Sequence, residues 1–161
     1  MTQKRPKIVA DQLKFFNDNA AAIKPDISEP FFLEYINKEQ AAGFAWLSDK
    51  KRILDYGCGT GTSIDAFKKV NPSNSHTFVG VDISDVAIKR VQQSYPDFSF
   101  FTIANNKISQ LPDASVEGAY LLHVLHHSYE HKAIFSEIYA KLGEGGKFFL
   151  SDLSSQNPII K

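Results

Sequence analysis

Residues 52–63 read RILDYGCGTGTS: a short apolar run, an acid, and three glycines at alternate positions. Such an apolar run is typical of a strand buried on both faces of a parallel sheet. Glycines have no Cβ atom, so a ligand can approach the backbone of this loop closely. We expect Thr62 or Ser63 to cap a following helix, whose free N–H groups attract anions. Strand, loop and helix together predict a nucleotide-type site at the carboxyl end of the first strand.

Two cofactor classes compete for this glycine loop. The dinucleotide fingerprint G-x-G-x-x-G/A would place its third small residue at position 62, where Thr62 stands. Asp82 ends the next predicted strand, roughly twenty residues past the loop, where a carboxylate can bind both hydroxyls of a ribose. This acid suits a dinucleotide and other adenosine cofactors equally, so both classes stay open at this point.

Composition limits the kind of protein. The chain has 161 residues, which predicts one domain, and its 18 basic and 18 acidic residues cancel, so no overall field favours nucleic acid. One cysteine excludes an internal disulfide and fits a reducing compartment. Neither an apolar run of about 18 residues nor a signal peptide is present, so we expect no membrane association and a cytoplasmic location.

Beyond residue 51, strand-like runs alternate with helix-like stretches. This alternation predicts an α/β fold with a parallel sheet and right-handed crossovers. Strands are expected at 52–55, 77–82, 98–103, 116–123 and 147–152. Helices are expected at 62–70, 84–94 and 130–142, with a loop at 104–115 and a glycine-rich turn at 143–146.

Residues 1–50 form a lead-in of different character, and residues 51–161 are expected to form one globular unit. Helices are predicted at 8–22 and 31–46, separated by a break with two prolines at 24–30. The aromatic residues of this lead-in either pack against the sheet, or the helices cover the pocket and bring Phe32 or Tyr35 near a substrate.

The pattern acid-x-G-x-G-x-G, formed by Asp55, Gly57, Gly59 and Gly61, resembles motif I of class I S-adenosylmethionine (SAM)-dependent methyltransferases of the type 11/12-like kind. Three later stretches extend the resemblance over roughly residues 50–160. They are 111–120, similar to P-D-x-S-F-D-x-V; 123–127, similar to V-L-H-H; and 139–147, similar to L-x-P-G-G.

The resemblance implies a Rossmann-like, doubly wound, mainly parallel sheet in the order 3-2-1-4-5, which in that family continues into strands 7 and 6. Residues 154–161 leave no room for these two strands, so we expect a truncated or minimal form. The fifth strand would then be an open edge, which a homodimer could cover.

The resemblance also implies how SAM would be bound. Gly57, Gly59 and Gly61 would lie against the cofactor, with Cys58 as a pocket wall. Asp82, followed by Ile83, would bind the ribose, unless Asp82 only caps the next helix. Asp55, together with backbone carbonyls near His123, would accept hydrogen bonds from the amino group of SAM, unless Asp55 only braces the loop. Asn105 or Asn106 would contact adenine in place of the acid that the family often uses.

Four of the five histidines fall between positions 123 and 131. His123, His126 or His127 could be a general base beside the transferred methyl group, or they form only a polar loop before a helix. His131 is expected on a solvated helix face. No carboxylate or thiol stands at a recognised ligand spacing from them, so no metal site is expected.

The leading functional hypothesis is a SAM-dependent methyltransferase that acts on a small molecule. A SAM-binding module without activity is the alternative, favoured by the short C-terminus and the missing adenine acid. An NAD-linked oxidoreductase is the third hypothesis, disfavoured by Thr62.

Overall fold

The computed structural model of the chain describes residues 4–19, 30–72 and 75–152. Within them, five parallel strands form one sheet in the order β3-β2-β1-β4-β5, as predicted. The strands are Arg52–Tyr56 (β1), Thr77–Asp82 (β2), Ser99–Thr102 (β3), Val116–Leu122 (β4) and Leu142–Ser151 (β5). The helices are Lys4–Asn19 (α1), Pro30–Trp46 (α2), Thr62–Val70 (α3), Asp85–Ser94 (α4) and His131–Lys141 (α5), with one 3-10 turn at Leu125–His127.

The central strand β1 supplies side chains to two hydrophobic cores, one on each face of the sheet. Ile53 packs on one face with Phe67 and Tyr120. Leu54 packs on the other face with Val81. Because successive side chains of a strand point to opposite faces, this two-sided burial explains the uninterrupted apolar run.

The start of α3 differs from the prediction. Neither Thr62 nor Ser63 caps this helix: Gly61 holds the cap position in a left-handed conformation, with φ 91°, and no side chain caps it. The Ser63 hydroxyl donates instead to the Asp55 carboxylate, 2.5 Å away. Helix α4 does have a side-chain cap, because the Ser84 hydroxyl accepts from the N–H of Ala87 at 3.1 Å.

The predicted turn at 143–146 is wrong. Strand β5 already begins at Leu142, which pairs with Val116, and an irregularity in the register between Val116 and Gly118 accommodates the glycine-rich stretch. The helix before it therefore ends at Lys141. Among the described residues, no strand pairs with the outer edge of β5.

The C-terminal half of α2 packs against the sheet. Phe44 is fully buried, with its ring 5.0 Å from that of Phe67 and 5.2 Å from that of Tyr120. Gly43 lies so close to Phe149 that a Cβ atom would stand 2.3 Å from the ring. The predicted break at 24–30 falls almost entirely outside the described residues, as do the side chains of Phe32 and Tyr35.

Lys147 joins the end of α2 to β5. Its Nζ lies 5.1 Å from the centre of the Trp46 ring and donates to Asp49 at 2.8 Å. Across the described ranges, none of the helices combines the length and apolar character needed to cross a membrane.

Candidate functional site

A cavity of about 320 Å³ lies where the carboxyl ends of β1 to β4 meet. This is the position at which doubly wound sheets bind ligands. Eight of the sequence-predicted site residues line it: Gly57, Gly59, Asp82, Ile83, Asn105, Asn106, His123 and His127. Four others do not line it: Asp55, Cys58, Gly61 and His126.

The glycine loop leaves room for a ligand. The N–H groups of Gly57 and Cys58 both donate to the Val81 carbonyl, at 2.7 and 3.0 Å, which fixes the loop beside β2. Gly59 has φ 49°, and a Cβ atom built there would meet nothing within 4 Å. The backbone at Gly59 therefore faces open space, and a side chain would occupy volume that a ligand can use.

Asp82 is held at the cavity by two backbone groups. The N–H of Gly59 donates to its Oδ2 and the N–H of Ser84 to its Oδ1, both at 2.9 Å. Burial raises the pKa of Asp82, and these backbone donors act in the opposite direction. Each carboxylate oxygen has a further lone pair, so Asp82 can still accept hydrogen bonds from hydroxyl groups of a ligand.

Asp55 has its partners within the fold. Its Oδ2 accepts from the Ser63 hydroxyl at 2.5 Å and from the Tyr120 hydroxyl at 2.9 Å, and the residue is 2% exposed. Burial raises the pKa of Asp55 to about 7. Asp55 therefore connects β1 with β4 and the start of α3, and its contact with a ligand stays a prediction.

Cys58 and Gly61 also face the protein interior. Cys58 is 4% exposed within the core that contains Phe78 and Phe100, and burial raises the pKa of its thiol. A Cβ atom on Gly61 would lie 2.7 Å from the Tyr95 ring. Both residues therefore support the loop through contacts with the protein interior, and neither lines the cavity.

Asn105 and Asn106 occupy a tight turn within the stretch 104–115, which was expected to be a loop. Both have positive φ, 52° and 60°. The Asn106 amide accepts from the Tyr56 hydroxyl at 3.3 Å and donates to Glu130 at 2.9 Å. Two consecutive asparagines were a usable signal, because Asn tolerates the left-handed conformation better than other non-glycine residues.

His123 combines an unusual backbone with an unpaired side-chain atom. Its φ is 56°, and its N–H donates to the Ser151 carbonyl at 2.9 Å. Its Nε2 is buried and has no hydrogen-bond partner among the described residues. Burial lowers the pKa of His123, which keeps the ring neutral at pH 7. A ligand in the cavity could satisfy this buried nitrogen.

His127 and His126 lie side by side, with ring centres 3.8 Å apart. Burial lowers the pKa of His127, whose ring meets that of Phe16 edge-on at 5.0 Å. His126 does not line the cavity, and its Nδ1 lies 2.5 Å from Oδ1 of Asp152. In the part of the chain that the structure describes, no group of three His, Cys, Asp or Glu residues is arranged to hold a metal ion.

Helix α1 contributes to the cavity through residues that the sequence did not identify. Phe16 lines the cavity, and the amide oxygen of Asn17 accepts from the Ser84 hydroxyl at 2.6 Å. Glu130 and Tyr129 after the 3-10 turn also line it. Nothing in the sequence distinguishes Phe16 from the other aromatic residues of the lead-in.

Comparison with known proteins identifies the family. A family profile described as "Methyltransferase domain" matches residues 31–159. The chain is 31% identical over 108 residues to "O-methyltransferase rstn1" of Aspergillus nomiae, which covers 64% of this chain and 47% of that protein. It is 28% identical over 101 residues to a Mycolicibacterium smegmatis protein named "Probable S-adenosylmethionine-dependent methyltransferase", covering 62% of this chain and 37% of that one.

The chain thus spans about half or less of the length of these two relatives. Among solved structures, a SAM-dependent methyltransferase from Aquifex aeolicus superposes with a TM-score of 0.62 at 14% identity, over 92% of this chain and 77% of that one. At 14% sequence identity, this structural similarity is evidence for the fold alone.

Proposed function

We propose that this chain, which belongs to the methyltransferase-domain family, binds SAM in the cavity and transfers its methyl group to a small-molecule acceptor. Family membership decides between the two cofactor classes considered for the glycine loop: the cofactor is SAM, and the hypothesis of an NAD-linked oxidoreductase is set aside.

The observation that carries the proposal is the Asp82 carboxylate, held by two backbone N–H groups beside the open space at Gly59. Asp82 would bind the ribose hydroxyls and Asn105 the adenine, while the buried Nε2 of His123 offers one more polar contact. These residues fit an adenosine cofactor. When bound, SAM supplies a methyl group on a positively charged sulfur.

The remaining chemical requirement is a proton acceptor for a hydroxyl or amine substrate. His123 and His127 line the cavity, and their lowered pKa values keep both rings able to accept a proton at pH 7. We assign this general-base role to one of these two histidines. His126, bound to Asp152 and with its ring centre 3.8 Å from that of His127, would support the His127 ring.

Calorimetry on the Asp82→Asn variant tests the proposed cofactor site. The substitution removes the charge but keeps an oxygen for one backbone N–H, so the fold is expected to persist. Affinity for S-adenosylhomocysteine should fall about tenfold or more, because hydrogen bonds to charged groups are worth about 1.5–3 kcal/mol. Asp97→Asn, at an exposed position after α4, is the matched control. Equal affinities of Asp82→Asn and the unchanged chain would contradict the assignment.

Methyl transfer distinguishes an enzyme from a binding module. S-adenosylhomocysteine formation should be measured by mass spectrometry with small phenols, amines and thiols as acceptors. Product formed with one acceptor class, and lost in His123→Ala or His127→Ala, would support the enzyme. Tight cofactor binding without product from any acceptor would favour the alternative of a SAM-binding module without activity.

The homodimer expected at the β5 edge is also a proposal. Leu150 on β5 is 39% exposed, and no described strand covers this edge. Light scattering should then give a mass near twice 18.0 kDa. A monomeric mass at high concentration would contradict it. The cytoplasmic location stays a prediction, which cell fractionation would test.

A further inference from the structure

A tight turn brings two asparagines to the cavity. The N–H of Lys107 donates to the Ala104 carbonyl at 3.1 Å, and the two residues form an isolated antiparallel bridge. Asn105 and Asn106, between them, both have positive φ, as the central residues of a type I′ turn do. Because this turn is only four residues long, a small shift of its base would move both asparagine side chains.

The base of this turn is anchored to α5 by one buried carboxylate. The N–H of Ile108 donates to Oε1 of Glu137 at 2.8 Å, and Nζ of Lys107 donates to Oε2 at 3.2 Å. The Glu137 side chain is only 8% exposed. Burial alone would raise the pKa of Glu137, but the Ile108 N–H and Lys107 hold it below its usual value. Glu137 therefore stays ionised and keeps both contacts at neutral pH.

The other end of the segment is fixed to the same helix. Lys141 of α5 donates to Asp113 at 2.7 Å, and its Nζ lies 3.5 Å from Glu137. The N–H groups of Ala114 and Ser115 donate to the last carbonyls of α5, at 2.8 and 2.9 Å. Of the contacts that fix this segment to α5, those of Glu137 lie closest to the asparagine turn.

The two asparagines differ in which hydrogen-bonding groups of their side chains remain available to a ligand. The Asn106 amide is used on both sides, by Tyr56 and Glu130. Asn105 also lines the cavity, and its side-chain amide has no hydrogen-bond partner within the described ranges. A primary amide offers an acceptor and a donor side by side, which matches the amino group of adenine and a neighbouring ring nitrogen.

We propose that Glu137, which does not line the cavity, is a positioning residue for base recognition. By holding Lys107 and Ile108 it fixes the turn that presents Asn105, and so sets the preference for a 6-aminopurine over a purine that carries hydrogen at position 6. The inference depends on the proposed function, because it assumes that an adenosine ligand occupies the cavity.

The test compares two ligands by calorimetry: S-adenosylhomocysteine and its analogue in which hydrogen replaces the amino group at position 6 of the base. The unchanged protein should prefer the first about fivefold, because without the amino group the Asn105 amide oxygen has no donor from which to accept. Glu137→Ala should reduce this preference at least threefold, and Glu137→Gln, which keeps an acceptor for Ile108, should retain more of it.

Ile138→Val is the matched control, since it removes one methyl group from a buried neighbour on the same helix that does not line the cavity. It should lower stability without changing the preference between the two bases. Asn105→Ala should abolish the preference by itself, and adding Glu137→Gln to it should have no further effect. The last comparison keeps the test decisive if Glu137→Ala does not fold.

The outcomes separate the two proposals. If the unchanged protein binds neither ligand, the proposed function fails and the inference fails with it. If it binds both ligands equally well, or if both Glu137 variants keep the full preference, the proposed function stands and the role of Glu137 is overturned.

Discussion

Asp55 illustrates how a single side chain can follow a family pattern and yet face away from the cavity. It stands first in the glycine pattern, but both of its bonded hydroxyls belong to the fold, on Ser63 and Tyr120. The sequence pattern indicated that Asp55 stands at the end of the first strand, but it did not indicate the direction of the carboxylate. That direction depends on Tyr120, a strand residue far away in the sequence, which lies opposite Asp55 in the register of β1 and β4.

The stability of the protein should depend on pH through Asp55. Its pKa is about 7 in the folded state against 3.8 for the ordinary carboxyl. The folded state therefore binds the proton more tightly, so the contribution favours folding at low pH and is lost as the pH rises through about 7. Between pH 5 and pH 8 this loss amounts to about 3 kcal/mol.

Asp55→Asn should flatten this dependence. Both hydroxyls donate to the same oxygen of Asp55, so one amide oxygen can accept both, while nothing is left to ionise. Urea unfolding at pH 5 and pH 8 should show the variant losing about 3 kcal/mol less than the unchanged protein. Asp97→Asn, at an exposed position, should keep the original dependence. Parallel pH profiles of Asp55→Asn and the unchanged protein would contradict the assignment.

At the scale of elements, the sheet was predictable because its signals are local. Apolar runs alternating with helical stretches indicated the five strands, and the glycine loop indicated which strand lies beneath the site. Where the prediction was wrong, a distant partner decides the local structure. Ser63 gives its hydroxyl to Asp55 instead of the helix, and pairing of Leu142 with Val116 draws the glycine-rich stretch 143–146 into β5.

The same limit applies to the site. Asp82 and the histidines were suggested by their positions at the ends of predicted strands, and the asparagines by the resemblance to methyltransferases. It could not suggest Phe16, whose place in the cavity depends on a contact with His127 across most of the chain. Asp152 was missed for a similar reason, since its partner His126 follows a different strand.

Packing between α2 and β5 depends on the absence of a side chain at Gly43. A methyl group there would stand 2.3 Å from the Phe149 ring. Gly43→Ala should lower the free energy of unfolding by about 1–3 kcal/mol, although Ala favours a helix by up to about 1 kcal/mol. Phe149→Leu should restore part of the loss when combined with it. Additive effects in this double-mutant cycle, measured in urea, would contradict the predicted clash.

For the molecule as a whole, ligand binding should couple to stability. A ligand that binds only the folded state at 100 times its Kd stabilises it by about 2.7 kcal/mol. For a chain of this size, the unfolding temperature should then rise by about 5–10 °C. A thermal scan with S-adenosylhomocysteine should show this shift for the unchanged protein and, at the same concentration, a shift about half as large or smaller for Asp82→Asn. NAD should give none, and equal shifts with both compounds would contradict the proposed specificity.

The chain contains one tryptophan, and Trp46 stands at the opposite end of the sheet from the cavity, beneath the Lys147 ammonium group. Excitation above about 295 nm therefore addresses a single indole, and its emission reports on the junction between α2 and β5. The protein thus carries its own optical probe. A change of emission maximum during a titration would mean that an event at the glycine loop is transmitted through the sheet to its far edge.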